Sequence, residues 1–227
     1  MVLIIIAGIT AFLASQTKYM KFSYSEANLL PETHEANLDY NKFLEIFGEE
    51  GNLVILGIKD STVFTPEKFN AWNNLVNKFD DREEIDFTIS IADVKKLKKD
   101  SQKRKFVLEP LYEEDPTTTK EVLAIKKQLF EKLPFYDNLL FNKETGTLQT
   151  AIYIKKAIIN TPQRRDFIFS YLKPTIEAFE KETGMDVRIS GMPYIRTLNA
   201  QNIQDEIQLF VGGALGITAL IFFFFFR

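Results

Sequence analysis

The stretch NLVILGIKDSTVFTPEKFNAWNNLVNKFDDREEIDFTISI, residues 52–91, predicts a strand, a helix and a second strand in that order. Residues 52–60 are almost continuously apolar, which is typical of a buried strand. Residues 65–79 begin with Thr-Pro, a pair that favours the first turn of a helix. Residues 85–91 alternate between apolar and polar side chains, as a half-buried strand does. We therefore predict one βαβ unit over residues 52–92.

The spacing of apolar residues in this unit predicts which side chains face the core. Four residues recur at helical spacing on one face of the predicted helix: Phe69, Trp72, Val76 and Phe79. Four residues of the second strand lie at every other position, on one predicted side: Ile85, Phe87, Ile89 and Ile91.

The same order of elements recurs in residues 147–191. LQTAIYIKKAI (148–158) predicts a strand, TPQRRDFIFSYLKPTIEAFEKETG (161–184) a helix that ends at Gly184, and MDVRIS (185–190) a strand. Both units contain Ile-Lys followed six residues later by Thr-Pro, a short match that chance could also produce. Two tandem βαβ units predict an α+β fold of the ferredoxin-like βαβ-βαβ type, with Pro174 kinking the second helix.

An insertion, residues 93–146, separates the two units. Its basic run, KKLKKDSQKRK (95–105), predicts a solvated loop, and contact with anionic lipid headgroups is the alternative. A helix is expected over residues 117–133. LPFYDNLLFNKETG (133–146) then predicts a loop with five large apolar residues, either buried locally or available to a ligand: Phe135, Tyr136, Leu139, Leu140 and Phe141.

Outside the two units, the charge distribution points to a membrane. Residues 1–17 and 207–226 carry no charged side chain, although 26% of the whole chain is charged. Residues 207–227 form an apolar run that is long enough to span a bilayer as a helix. We prefer this interpretation to the alternative of a buried core helix. Residues 1–17 are shorter and lack the basic start of a signal peptide, so we expect part of a first transmembrane helix.

The segment between these ends, residues 18–206, is expected to form one polar domain on one side of the membrane. An amphipathic helix is predicted over residues 36–48. Residues 194–206 contain no helix breaker, so they predict a connecting helix that continues into the second transmembrane helix.

The composition argues against several functions. A net charge of −3 argues against nucleic acid as a partner, because phosphate binding needs a basic surface. The chain has no cysteine, and its one histidine, His34, is more simply a surface residue than a metal ligand. No nucleophile–base pair or phosphate-binding glycine loop is found. We predict no enzymatic activity, cofactor or metal.

Several segments together resemble the first extracytoplasmic loop of resistance-nodulation-division (RND) superfamily exporters, in the MMPL-like, Patched-related branch. They occur in the order of that family: ANLLPETHEANLDYNKFLEIFGEEGNLVILGIKD (27–60), FNAWNNL (69–75), LPFYDNLLFNKETG (133–146), SGMPYIRT (190–197) and LFVGGALGITALIFFFFFR (209–227). The resemblance covers essentially the whole chain.

The resemblance implies that residues 18–206 are a periplasmic porter domain of a multi-pass protein of the bacterial inner membrane. It implies proton-driven export of lipids or other hydrophobic molecules, carried out together with the remainder of the transporter. Membrane lipid and a hydrophobic or lipid substrate are the expected partners. The sequence does not decide whether the protein forms a homo-oligomer. The acidic proton-relay residues of the family lie in membrane helices that these 227 residues do not include.

Two stretches are candidates for a substrate path: Phe135–Phe141, and Met192, Pro193 and Tyr194, where the last strand turns into the connecting helix. The alternative is that both stretches only pack the domain. For the protein as a whole, the alternative to an exporter is the extracytoplasmic ligand-binding domain of a two-helix membrane sensor, or a tethered scaffold without a ligand.

Overall fold

The structure is a computed structural model that describes residues 2–16, 31, 33–47, 51–100 and 105–225. Its α-helices are α1 (Val2–Gln16), α2 (Glu35–Phe47), α3 (Pro66–Asp80), α4 (Thr119–Lys132), α5 (Pro162–Phe167), α6 (Lys173–Thr183) and α7 (Met192–Phe225). Its strands are β1 (Leu53–Ile58), β2 (Ile85–Ile89), β3 (Lys95–Asp100), β4 (Lys105–Pro110), β5 (Phe141–Asn142), β6 (Thr147–Ile154) and β7 (Val187–Ser190). The fold is mixed α+β.

The main sheet has the strand order β2-β6-β1-β7, and each neighbouring pair is antiparallel. The short strand β5 adds a fifth strand by pairing with the start of β6. Helix α3 connects β1 to β2, and α5 and α6 connect β6 to β7. The strands of the two predicted βαβ units therefore form one antiparallel sheet, with one short strand added to it.

The core lies between the sheet and helices α3 and α6. Trp72 and Phe79 are fully buried, as the helical spacing predicted, and the Trp72 ring lies 6.0 Å from the Phe179 ring of α6. On β1 and β6 every second residue is buried, among them Leu56 and Ile152. This alternation gives the sheet one face covered by helices.

The predicted alternation of residues 85–91 is wrong at its centre. The pairing of β2 with β6 shifts register between Ile85 and Phe87, which marks a β-bulge. Because one extra residue reverses the side on which later side chains lie, Ile85 is buried while Phe87 is 44% exposed. Phe87 thus lies on the face opposite to the helices, and Ile89 shares this side by its pairing with Ala151 while also packing partly against the core.

The second helical segment is continuous through Pro174 because of a π-helical turn, Ile168–Leu172, between α5 and α6. The N–H of Lys173 donates to the carbonyl of Ile168, five residues earlier. Such a turn accommodates a proline, which cannot donate a backbone hydrogen bond. Gly184 ends α6 at φ 70°, the left-handed conformation expected of a C-terminal glycine.

The basic run is not a loop in the part that the structure describes. Lys95–Asp100 and Lys105–Pro110 form an antiparallel hairpin, β3–β4. Its base is fixed by buried Val94 and Leu111, joined by a backbone hydrogen bond of 2.9 Å. The apolar partner strand and the cross-strand pair of Lys98 with Glu109, at 2.9 Å, offset the poor strand preference of consecutive lysines.

The other predicted helices are present. Helix α4 begins one residue after Thr118, whose side chain and that of Glu121 form a capping box, and α2 matches the amphipathic segment 36–48. Met192–Phe225 is one uninterrupted helix, so the predicted connecting helix does continue into the apolar run.

Among the described residues, one helix is long and apolar enough to cross a membrane. It is α7, whose best 18-residue window has a mean hydropathy of 2.1 and is 0% buried. Helix α1 has 15 residues, fewer than that window. The candidate span coincides with the predicted second transmembrane helix, and the predicted partial first helix coincides with α1.

Candidate functional site

The two faces of the main sheet have different environments. One face holds the buried residues that pack on the helices. The other face, which we call the open face, is partly exposed and consists of the alternate residues of each strand. Since residues directly opposite each other in antiparallel strands share a face, the pairing register defines its rows.

The open face also has two distinct ends. Helix α7 follows directly from the end of β7, where Ser190 lies opposite Ile55, near the start of β1. We call this side of the sheet the near end. The opposite side, where Ile58 pairs with both Leu148 and Val187, is the far end.

The open face changes from apolar at the near end to polar at the far end. The row at the near end is Phe87, Tyr153 and Leu53; the middle row is Ile89, Ala151, Ile55 and Ser190; the far row is Gln149, Gly57 and Arg188. In the first row, the Phe87 and Tyr153 rings are stacked with their centroids 4.3 Å apart. Stacked aromatic rings beside a leucine form a surface suited to apolar molecules.

Sequence reasoning missed this surface. The alternation of β6 was visible in the sequence, and it put Tyr153 on the side opposite to Leu148 and Ile152. The bulge in β2 was not visible, so Phe87 was assigned to the core. The ring stack therefore depends on an irregularity that alternation alone does not reveal.

At the near end, the chain turns from β7 into α7 at Gly191, which has φ 119°. A side chain there would overlap the carbonyl oxygen of Leu53, and its Cβ would lie 2.9 Å from the Cα of Val54. Only glycine fits this close approach of two backbones. The turn thus holds the start of α7 directly against β1.

The predicted site residues Met192, Pro193 and Tyr194 form the first turn of α7 at this point. Met192 is 45% exposed, whereas Pro193 is buried and Tyr194 packs partly against the core. The Cβ of Met192 lies within 3.5 Å of where a side chain on Gly51 would begin, just before β1. Of the three residues, Met192 is the one most accessible to an apolar ligand.

Two arginines of α5 connect the domain to α7. The Nε of Arg164, a residue only 1% exposed, donates to the hydroxyl of Thr197 at 3.1 Å. That hydroxyl donates in turn to the carbonyl of Pro193 at 2.7 Å. Arg165 donates through Nε and Nη2 to the side-chain oxygen of Gln201, at 3.2 and 2.8 Å.

These contacts form a stripe along one side of α7. Gln201 also donates to Asp205 at 3.0 Å, so residues 193, 197, 201 and 205 take part at a spacing of four. Residues at that spacing share one helical face. The stripe, which we call the α5–α7 clasp, fixes the orientation of α7 over its first three turns or so.

The other predicted stretch, Phe135–Phe141, lies at the far end of the sheet. Phe141 pairs with Leu148 at the start of β6. Leu140 and Phe141 are buried, Tyr136 packs against the core, and Phe135 and Leu139 are 76% and 57% exposed. The structure therefore does not bring this stretch together with Met192, Pro193 and Tyr194.

The described residues include no cluster of three or more metal-ligating side chains. His34 accepts a hydrogen bond at Nδ1 from the N–H of Ala36 at 3.2 Å, near the start of α2. Burial raises the pKa of Tyr112 to about 12, and Asn73 donates to its hydroxyl at 2.7 Å. That tyrosine belongs to the packing of α3, away from the open face.

No protein-family model matches this chain, and no curated protein matches it either.

Proposed function

We propose that this chain contributes the periplasmic domain of an RND-type, MMPL-like exporter, and that the domain has the ferredoxin-like topology. The strand order β2-β6-β1-β7 supports that topology. In each βαβ unit the two strands flank a strand of the other unit, which is the split arrangement of this fold. The segments quoted above as resembling the family support the assignment to the exporter.

The observation that carries the proposal is the polarity gradient of the open face. Its apolar row, Phe87, Tyr153 and Leu53, lies at the near end, and the apolar helix α7 leaves the domain from that same end. If α7 crosses a bilayer, the apolar row is the part of the sheet closest to the membrane. A hydrophobic molecule leaving the bilayer would meet this row before the polar rows.

In this proposal α7 is the second membrane-spanning helix and α1 belongs to the first, with the domain between them in the periplasm of the inner membrane. The length and composition of α7 support the first part. The apolar sequence of α1, which has no charged residue, supports the second.

The near end also has the means to couple the helix to the domain. Any rotation of α7 would pull on the α5–α7 clasp, since Arg164 and Arg165 hold it by charge-assisted hydrogen bonds. Helix α5 is the next α-helix after β6, which carries Tyr153, and a seven-residue connection, residues 155–161, joins them. A movement of membrane helices would thereby reach the apolar row. Met192, in the first turn of α7, lies beside Gly51 just before β1 and offers an adaptable apolar contact there.

The proposal is tested by the accumulation of N-phenyl-1-naphthylamine, a hydrophobic dye, in cells that make the complete protein. We expect less dye in these cells than in cells without it, and a protonophore should abolish the difference. Phe87→Asp should also abolish it at equal protein abundance. Phe135→Asp, an equally drastic change at an exposed far-end residue, should not.

Two results would contradict the proposal. One is a dye level that does not respond to the proton gradient. The other is normal extrusion by Phe87→Asp, which would move the route away from the apolar row. Binding of the dye without any extrusion would favour the sensor instead.

A further inference from the structure

A second concave site lies away from the open face, between the β3–β4 hairpin and the last turns of α4. Its volume is about 440 Å³, within the range of small-molecule sites. Leu111, only 4% exposed, and Leu133 are among the apolar residues that line it. The cavity is open to solvent on one side and offers leucine side chains to a short apolar group.

The charges around this cavity are mostly positive. Lys96, Lys98 and Lys132 line it, against one carboxylate, from Glu109. That carboxylate already accepts a hydrogen bond from Lys98 at 2.9 Å. The C-terminal end of α4 adds roughly half a negative charge. The balance stays positive by more than one elementary charge.

This local charge is opposite to that of the chain. Residues 95–105 contain seven basic residues and one acidic residue, whereas the net charge of the chain is −3. Among the residues that the structure describes, no carboxylate forms an ion pair with Lys96 or Lys132. An anion in the cavity would relieve the repulsion among these lysines.

We propose that this cavity binds an amphipathic anion, namely a carboxylate or phosphate group that carries a short apolar tail. The anionic group contacts Lys96 and Lys132, and the tail lies on Leu111 and Leu133. Lysine suits either anion, because its ammonium group acts as a point charge without a fixed geometry. A free fatty acid and an anionic phospholipid share this chemistry. The site is separate from the apolar row and does not depend on export.

The test uses the whole chain in nanodiscs of zwitterionic lipid and two photoreactive probes with the same diazirine-bearing eight-carbon tail. One probe ends in a carboxylate and the other in an amine. After illumination, mass spectrometry locates the label. We expect the acid, and not the amine, to label the peptides that contain residues 96–98, 109–111 and 128–133. Labelling of α7 by both probes reflects partition into the bilayer and serves as the reference.

The matched variants reverse two charges each. Lys96→Glu with Lys132→Glu should reduce labelling of the cavity peptides about tenfold, through the loss of two charge-assisted contacts. Lys99→Glu with Lys127→Glu makes the same change on the same two elements, outside the cavity, and should leave labelling unchanged. Circular dichroism and the melting temperature are measured to check that both variants fold.

Equal labelling by acid and amine would overturn the proposal, as would equal loss in the two double variants. A further arm replaces part of the zwitterionic lipid by phosphatidylglycerol. If this lipid suppresses labelling by the acid, the natural anion is a lipid headgroup. If it does not, the site takes free acids. Either result supports the site and identifies the source of the anion that it binds.

Discussion

Gly191 is the residue on which the attachment of α7 to the sheet depends. Its φ of 119° is rarely open to residues with a side chain, and the backbone of Leu53 and Val54 leaves no room for a Cβ. The helix can leave the near end at this angle only because the position is glycine.

Gly191→Ala should therefore lower the free energy of unfolding by about 1–3 kcal/mol from backbone strain alone, with more from the overlap. Gly213→Ala is the control, because a Cβ there meets no atom within 4 Å. Urea titrations of the chain in detergent measure both. A Gly191→Ala variant as stable as the control would show that the turn can relax.

Glu121 carries a negative charge at the N-terminal end of α4, where it accepts backbone hydrogen bonds. It accepts hydrogen bonds from the N–H groups of Thr117 and Thr118, at 2.8 and 3.1 Å, and these bonds lower the pKa of its carboxyl group. A pKa that is lower in the folded state means that the carboxylate stabilises the fold above its unfolded pKa. The contribution is lost as the pH falls through the folded value.

Glu121→Ala should therefore lower the melting temperature at pH 7, and the difference from the wild type should shrink below the ordinary glutamate pKa of 4.5. Glu131→Ala, at the other end of α4, is the matched control. A difference that stays constant down to pH 3 would mean that helix propensity and not charge is responsible.

At the scale of elements, the sequence predicted regular pieces well and irregular ones poorly. Helix α3 and strand β6 follow from periodicity because one face of each is buried over its whole length. The bulge in β2 does not follow, since one extra residue leaves the composition unchanged and moves Phe87 to the other face. The hairpin was missed because lysines on both faces of β3 hide the strand pattern.

At the same scale, the contribution of the α5–α7 clasp can be measured by comparing two threonines of α7. Thr197 and Thr218 both lie on α7, and each donates its hydroxyl hydrogen bond to the carbonyl four residues earlier, at 2.7 Å. Only Thr197 is buried and also accepts from Arg164. Replacing each threonine in turn therefore separates the contribution of the clasp from that of the hydrogen bond within the helix.

Thr197→Val should lower the free energy of unfolding by about 1–3 kcal/mol, because the Nε–H of buried Arg164 loses the hydroxyl to which it donates. Thr218→Val should change it by less than about 0.5 kcal/mol. The two variants have the same shape and lose the same local bond. Equal effects in a urea titration would show that the clasp does not hold α7.

At the scale of the whole molecule, the positions of the candidate residues could not be obtained from the sequence. Sequence reasoning proposed two candidate stretches for a substrate path, Phe135–Phe141 and Met192–Tyr194, and the register of β1, β6 and β7 places them at opposite ends of the sheet. Strand order and register are set by contacts between distant segments. The order of apolar and polar residues within one segment therefore does not predict strand order or register.

The proposed topology also concerns the whole molecule. The chain has no cysteine, so a cysteine introduced at Lys99 or Glu114, both exposed, is unique within these residues. A membrane-impermeant maleimide should label both sites in cells whose outer membrane alone has been opened. Labelling only after the inner membrane is broken would place the domain in the cytoplasm.

The central claim is that hydrophobic molecules leave the bilayer along the apolar row at the near end of the open face. The most direct measurement is photolabelling of the complete protein, in native membranes, with an uncharged hydrophobic diazirine. Label is quantified by peptide, with α7 as the reference. We predict label on residues 51–55, 85–89 and 151–153, strong loss of it in Phe87→Asp, and no loss in Phe135→Asp. Label confined to α7, or concentrated on residues 133–141, would contradict the account.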